Sequence, residues 1–233
     1  MPTTNLGLPQ LAADQAQKHV TVNEGQALLD ALVMPAVKSR SLATPPGSPA
    51  EGERWIIGAS PTGAWSGKAT QIAAWIGGAW TFLAPKAGWT VHVEDERLTL
   101  VWTDGAWRDR IVGTGNGGAI RLVAVEQELT LTGAYVETTA PAIIADRMIV
   151  LGVASRTTQA ITGATSYSVG VAGNTSQFGG SLGIALGSTN IGVIGPTAFY
   201  ANTPIRVTSA GGAFTGGKVR IVLYALAFAA PSS

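Results

Sequence analysis

The chain has 233 residues, a formal net charge of +1, no cysteine and two histidines. That length allows one large domain or two small ones with a real core. The near-neutral charge lacks the basic footprint of a nucleic-acid binder, and the missing thiols exclude disulfides and cysteine-held metals. Charged residues are 12% of the chain and hydrophobic residues 46%, so the charge is about half that of an ordinary soluble domain. This predicts surface buried against other copies: a homo-oligomer, with a trimer favoured. No charged, apolar leader opens the sequence, and the longest apolar run, Ile221 to Ala230, is shorter than a membrane span. The expectation is synthesis in the cytoplasm without membrane insertion.

In chain order, Gln10 to Val20 reads as a weak helix. A second helix follows, with Leu28, Leu29, Leu32, Val33 and Ala36 at helical spacing. Asn23 is the expected N-cap, with Gln26 as its capping-box partner, and Pro35 should end the helix near Met34. Gln15, Gln17, Lys18, His19, Asn23 and Glu24 form a polar strip that is either a plain solvated face or a docking surface. Thr44-Pro-Pro-Gly-Ser-Pro49 is a sharp loop, since three prolines in six residues exclude helix and ladder.

Residues 44–112 hold all seven tryptophans, from Trp55 to Trp107. Four sit in a repeated hexapeptide, Trp75-Ile-Gly-Gly-Ala-Trp80 and Trp102-Thr-Asp-Gly-Ala-Trp107. Gly-Gly and Asp-Gly are the dipeptides of two-residue hairpin turns, because both central residues need positive φ. Turns there put Trp75 opposite Trp80 and Trp102 opposite Trp107, one indole pair per hairpin. Such pairs are either the mass of a thin core or a flat platform for a sugar ring, and the sequence leaves both open. Trp65 and Trp89, beside glycine-rich turns, are the expected exposed rings; Trp80 and Trp107 complete the candidate carbohydrate-binding set. Alternation places His92, Glu94 and Glu96 on one face as a weak metal or acid–base constellation, with a solvated edge or turn as the favoured reading.

Gly113, Gly115 and Gly118 match a dinucleotide-site pattern, but a strand-like run follows where a helix is required; an interdomain linker is expected. Residues 114–233 hold 18 of the 30 glycines, 10 of the 29 charged residues and no tryptophan. Short β-prone runs recur at Ile120–Val125, Leu129–Val136, Ile143–Val153, Tyr167–Val171, Ile205–Thr208 and Val219–Phe228, which predicts a β-sandwich or jelly roll. Gly179-Gly-Ser-Leu-Gly183 matches a nucleophile elbow, yet both histidines precede it; a flexible loop is expected. The fold class is thus mainly β: a helical segment over 1–43, a tryptophan-rich antiparallel module over 44–112 and a β-sandwich over 119–233.

Gln15-Ala-Gln-Lys-His-Val-Thr-Val-Asn-Glu24, Leu29-Asp-Ala-Leu32, Pro49-Ala-Glu-Gly-Glu-Arg-Trp-Ile-Ile-Gly58, Thr62-Gly-Ala-Trp65 and the Trp-x-x-Gly-Ala-Trp repeat appear in this order. Together, over about residues 5–110, they resemble a domain family of tailed phages, prophages and gene transfer agents of alphaproteobacteria. Ile161-Thr-Gly-Ala-Thr-Ser-Tyr-Ser-Val-Gly170 and Phe214-Thr-Gly-Gly-Lys-Val-Arg220 resemble the C-terminal part of such proteins. The resemblance implies a spike or fibre of the particle, such as a gene transfer agent head spike, that attaches to host surface polysaccharide. Its partners would be capsid or tail proteins of the same particle, with Gln15 to Glu24 anchoring it there. It implies no catalytic residues, no metal and no cofactor. An adaptor that only holds another fibre is the alternative. A glycan hydrolase would need two carboxylates about 5–10 Å apart in a cleft, and only Glu94, Asp95, Glu96, Glu126 and Glu128 are placed to try.

Overall fold

The computed structural model describes residues 2–11, 18–110 and 112–231. They divide into two compact units, residues 1–109 and 110–233. In the first unit α1 (Lys18–Leu32) leads into β1 (Ala36–Val37), β2 (Arg54–Ile56), β3 (Ile72–Ile76), β4 (Ala79–Leu83), β5 (Thr90–Val93), β6 (Leu98–Thr103) and β7 (Ala106–Arg108). They form two small sheets, in the orders β1-β5-β6-β7 and β2-β3-β4. All pairs are antiparallel except β1 with β5, where Val37 lies beside Val93.

Both hairpins form where their turn dipeptides place them. Gly77 and Gly78 have φ of 59° and 77°, Asp104 and Gly105 of 51° and 70°, the double positive φ of a type I′ turn. Trp75 pairs with Trp80 and Trp102 with Trp107. β2 is buried along its whole length because its alternating side chains serve different clusters. Ile56 joins Val37, Ile72, Val91, Val93 and Leu100; Trp55 joins Ile57, Trp65 and Ala73. Residues 1–43 and 44–109 therefore contribute to one unit, with Val37 fully buried in it.

The helix departs from expectation at its N-cap. Asn23 lies inside α1 rather than at its cap, and its amide accepts from the Leu11 N–H (2.9 Å) and donates to the Leu11 carbonyl (3.1 Å). Much of the apolar surface of α1 is exposed, at Val20, Val22, Leu28 and Leu29 and at Val33 just beyond its end, while Asp30 and Ala31 are buried. Asp30 is buried because its carboxylate gathers the irregular N-terminal segment. It accepts from the Thr3 hydroxyl (2.6 Å), the Asn5 and Leu6 backbone N–H groups and the Asn5 side-chain amide. Arg54 donates to the Asp30 and Ala31 carbonyls, closing the last turn of α1.

The second unit holds β8 (Val112–Gly113), β9 (Ala119–Thr130), β10 (Tyr135–Glu137), β11 (Ile149–Thr162), β12 (Ser166–Val171), β13 (Asn174–Leu182), β14 (Thr189–Ala198), β15 (Arg206–Ala210) and β16 (Gly216–Ala229). One sheet runs β14-β11-β16-β9-β8, the other β10-β15-β12-β13. The antiparallel partners nest: β9 with β16, β10 with β15, β11 with β14, β12 with β13. That is the jelly-roll order of two four-stranded sheets, with β8 added at one edge. Between the sheets lies one core, to which β16 contributes Val219, Ile221, Leu223 and Ala225 in strict alternation, opposite Tyr167, Val169, Phe178 and Val207.

Two glycine-rich stretches read from the sequence as a linker and a loop are parts of the β framework. Thr114 to Gly118 is the turn of the β8–β9 hairpin, with Gly113 paired to Ala119, rather than a linker. Gly179 to Leu182 continues β13 through a bulge, with Ser181 at φ 54°. Gly152 and Gly192 lie inside β11 and β14 because backbones approach there: a Cβ on Gly192 would come 1.8 Å from the Phe178 carbonyl oxygen.

Candidate functional site

The seven tryptophans sort into two groups. Trp55, Trp65, Trp75 and Trp80 form a chain of edge-to-face and tilted contacts, with centroids 5.0–6.3 Å apart. Trp65 was expected to be exposed, but it is the sealed centre of this group, at 0% exposure. Residues Gly63–Trp65 form a short 3₁₀ turn, and the indole is enclosed by its contacts with Trp55 and Trp80. Trp80 is half-buried and packs on the same cluster. Neither Trp65 nor Trp80 stands on an open platform.

The second group is different. Trp89 and Trp107, both half-buried, line one pocket of about 220 Å³ with Leu32, Pro35, Ile72 and Thr90. An adjoining depression of about 410 Å³ shares Leu32, Pro35 and Thr90 and adds Met34, His92 and Thr99. The result is a groove with aromatic walls at one end and hydroxyl and imidazole groups at the other. Its indoles are held firmly. The Trp107 Nε1 donates to the Thr70 carbonyl at 2.8 Å, its ring meets Trp102 edge-on at 5.4 Å, and Trp89 packs on the β5–β6 core. Pro35, which follows the end of α1, supplies part of the floor. Of the four tryptophans singled out from the sequence, the structure brings Trp89 and Trp107 together and assigns Trp65 and Trp80 to the other cluster. Leu32, Pro35 and Ile72 had no signal as site residues, because apolar residues in a loop and a strand read as core.

The acidic stretch after β5 does not converge on a site. Glu94 pairs with Lys38 at 2.9 Å, and Glu96 takes a two-pronged bond from Arg40 at 2.7 and 2.8 Å. The hydrogen bond that each cation donates to its carboxylate raises the pKa of the basic group. These pairs tie the chain after β1 to the β5–β6 turn, and the His92 side chain lies exposed. Glu126 and Glu128 lie on β9 beside Arg220, with Lys218 also on Glu128. Among the described residues no group of three or more acidic, histidine or cysteine side chains is placed to hold a metal.

Of the proposed anchoring residues, Gln15 and Gln17 lie outside the described residues. Lys18 and His19 open α1, Glu24 is exposed on it, and Asn23 is engaged with Leu11. A third pocket of about 310 Å³, beside Thr3, Asn5, Asp30 and Glu51, has its carboxylates already used. Glu51 accepts from the Gly77 N–H at 2.7 Å. Burial pushes the Asp30 pKa up, but the hydrogen bonds from Thr3, Asn5 and Leu6 together hold it below the ordinary value. Burial lowers the pKa of Arg54.

Fold and groove together define a class: a tryptophan-rich β unit with an aromatic groove, followed by a jelly roll. Comparison adds that residues 22–108 match the model of a family described as "Protein of unknown function (DUF2793)". That span, a little over a third of the chain, contains every groove residue. No curated protein matches. A chain of the solved structure titled "Cyanophage Pam1 capsid asymmetric unit" is similar at 20% identity, covering 51% of this chain and 92% of that one, with a TM-score of 0.34. A similarity of that size fixes neither fold nor role.

Proposed function

We propose that this chain is a structural spike or fibre component of a phage-like particle, a gene transfer agent head spike or tail fibre, and that it attaches the particle to bacterial surface polysaccharide without catalysis. The motifs over residues 5–110 support the particle role. The observation that carries the attachment role is the Trp89–Trp107 groove. Sugar C–H faces are apolar while their hydroxyls remain wet, so a fixed indole beside Thr90, His92 and Thr99 offers area without demanding a buried charge. Weak single sites suffice when many copies sit on one particle.

The test is binding of the purified full chain to capsular polysaccharide from a susceptible strain, followed by particle adsorption. Trp89→Ala combined with Trp107→Phe should weaken binding about tenfold, the loss of roughly 1.4 kcal/mol of ring contact. Met34→Ser, at the exposed rim, should change it little. Equal binding by the double variant and the unaltered chain would refute the groove as the site.

The alternative reading, an adaptor that only holds another fibre, draws on a specific observation: the exposed apolar residues Val20, Val22, Leu28 and Leu29 on α1 and Val33 just after it. In the attachment reading the same residues anchor the chain to the capsid or tail. Particles carrying Leu28→Ser and Leu29→Ser should lack this protein in both readings. Only the attachment reading predicts that unassembled chain still binds polysaccharide.

A further inference from the structure

The outer face of the five-stranded sheet is divided into two halves of opposite chemistry. One half is charged, with Glu126 and Glu128 on β9, Lys218 and Arg220 on β16 and Arg156 on β11. The other half carries no charge. Across it lie Leu122 and Ala124 on β9, Tyr224, Leu226 and Phe228 on β16, Ala154 on β11, and Ile191 and Val193 on β14. Alternation explains why these side chains point away from the core: from Gly217 to Ala227 the odd-numbered residues of β16 are buried and the even-numbered ones are not. In a sheet with one solvated face the outward positions should be polar. Here they are among the most apolar of the unit.

Leu122 is 62% exposed, Ile191 77%, Val193 76%, Tyr224 41% and Phe228 48%. With side-chain areas on the order of 150–250 Å², these five alone present about 600 Å². That is the upper end of the largest apolar patch on an ordinary monomer, about 300–600 Å². It approaches the roughly 800 Å² that one partner buries in a standard interface, and half-buried Val222, Leu226 and Leu151 extend it. The relief also suits self-association. A hollow of about 220 Å³ has Leu151, Gly152, Ala154 and Tyr224 in its lining, and the exposed Ile191 and Val193 line it as well and stand as its wall.

We infer that this uncharged half-face is the surface on which copies of this chain assemble, the occupant being the same face of a second copy. The face carries both knob and hollow, so it can meet itself in an isologous contact. Its charged half lies at one end of the strands, so two copies packed face to face bury the apolar half while the ion pairs stay wet at the rim. The inference goes beyond the attachment reading and holds whatever the tryptophan unit binds.

Light scattering of the full chain at micromolar concentration tests it. The mass should be twice 23.8 kDa. Ile191→Lys with Val193→Lys should reduce it to that of one chain, with far-ultraviolet circular dichroism unchanged. Leu122→Lys, on a different strand of the same face, should do the same and serves if the double variant fails to fold. Leu186→Lys, 70% exposed in the β13–β14 loop and off this face, should leave the assembly intact, as should Trp89→Ala. A monomeric unaltered chain overturns the inference, leaving the face to a different protein. So does an assembly that survives both face variants, or one that Leu186→Lys dissolves equally.

Discussion

Replacing Trp65 by alanine should remove a large part of the first unit's stability. The indole is fully buried, with centroids 6.3 Å from Trp55 and 5.2 Å from Trp80. Truncating such a residue costs about 3–5 kcal/mol, of which the two lost ring contacts supply about 0.5–1.5 kcal/mol each. Against that stands the Trp65 Nε1, buried without a hydrogen-bond partner among the described residues. An orphaned donor costs about 1–3 kcal/mol. Trp65→Phe keeps most of the ring and removes the orphan, so it should cost less than about 2 kcal/mol. Urea denaturation followed by tryptophan fluorescence measures both variants. Every tryptophan lies within residues 55–107, so this signal reports the first unit and not the jelly roll. A loss below about 1 kcal/mol for Trp65→Ala would refute a sealed core at this position. A loss above about 3 kcal/mol for Trp65→Phe would refute the role assigned to the unpaired N–H. Should the alanine variant prove unfolded at the outset, the phenylalanine variant still decides the second point.

Asp30→Asn should destabilise the first unit by about 2–3 kcal/mol, because one carboxylate oxygen facing N–H and O–H donors becomes an NH₂. The folded pKa of Asp30 is lowered, so its contribution is present above the unfolded value of about 3.9 and is lost as pH falls through the folded one. The unaltered chain should weaken over that acid range, and the Asn variant should weaken less there, as read from pH-dependent urea midpoints. Gly192→Ala should destabilise the jelly roll by about 1–3 kcal/mol, since its Cβ overlaps the Phe178 carbonyl oxygen; circular dichroism should show the loss while the fluorescence transition stays in place. Trp107→Phe alone deletes the bond to the Thr70 carbonyl and should cost about 1 kcal/mol, with a smaller effect on polysaccharide binding than Trp89→Ala.

The hairpins were legible because a two-residue turn is a local affair: Gly-Gly and Asp-Gly specify positive φ whatever surrounds them, and the indole register follows by counting. The jelly roll was legible as a class but not in its strands. β13 and β14 hide in glycine-rich sequence because their glycines answer to a neighbouring backbone rather than to their own propensity, as Gly192 against Phe178 shows. Trp65 was misread for a related reason. A tryptophan between two glycines looks like a loop tip, and only tertiary contact with Trp55 and Trp80 makes it core. Of the groove, the two indoles could be named from the sequence. Their juxtaposition could not, because it depends on where Pro35 and Ile72 come to rest.

The nested pairing of the jelly roll also sets the order in which the chain can mature on the ribosome. β16 sits between β11 and β9, with Ala229 opposite Ala119, so the middle of the five-stranded sheet is the last part to be synthesised. At about 5–20 residues per second, the hundred or so residues from β9 to β16 take several seconds to emerge, long after the first unit has all its strands. Throughout that interval β9 and β11 wait with unpaired edges, the state most exposed to mispairing with a neighbouring nascent chain. A chain cut short before β16 would carry a finished tryptophan unit but no joined sheet. Nascent copies made close together would therefore be at risk of exchanging β16 strands before each has closed its own sheet.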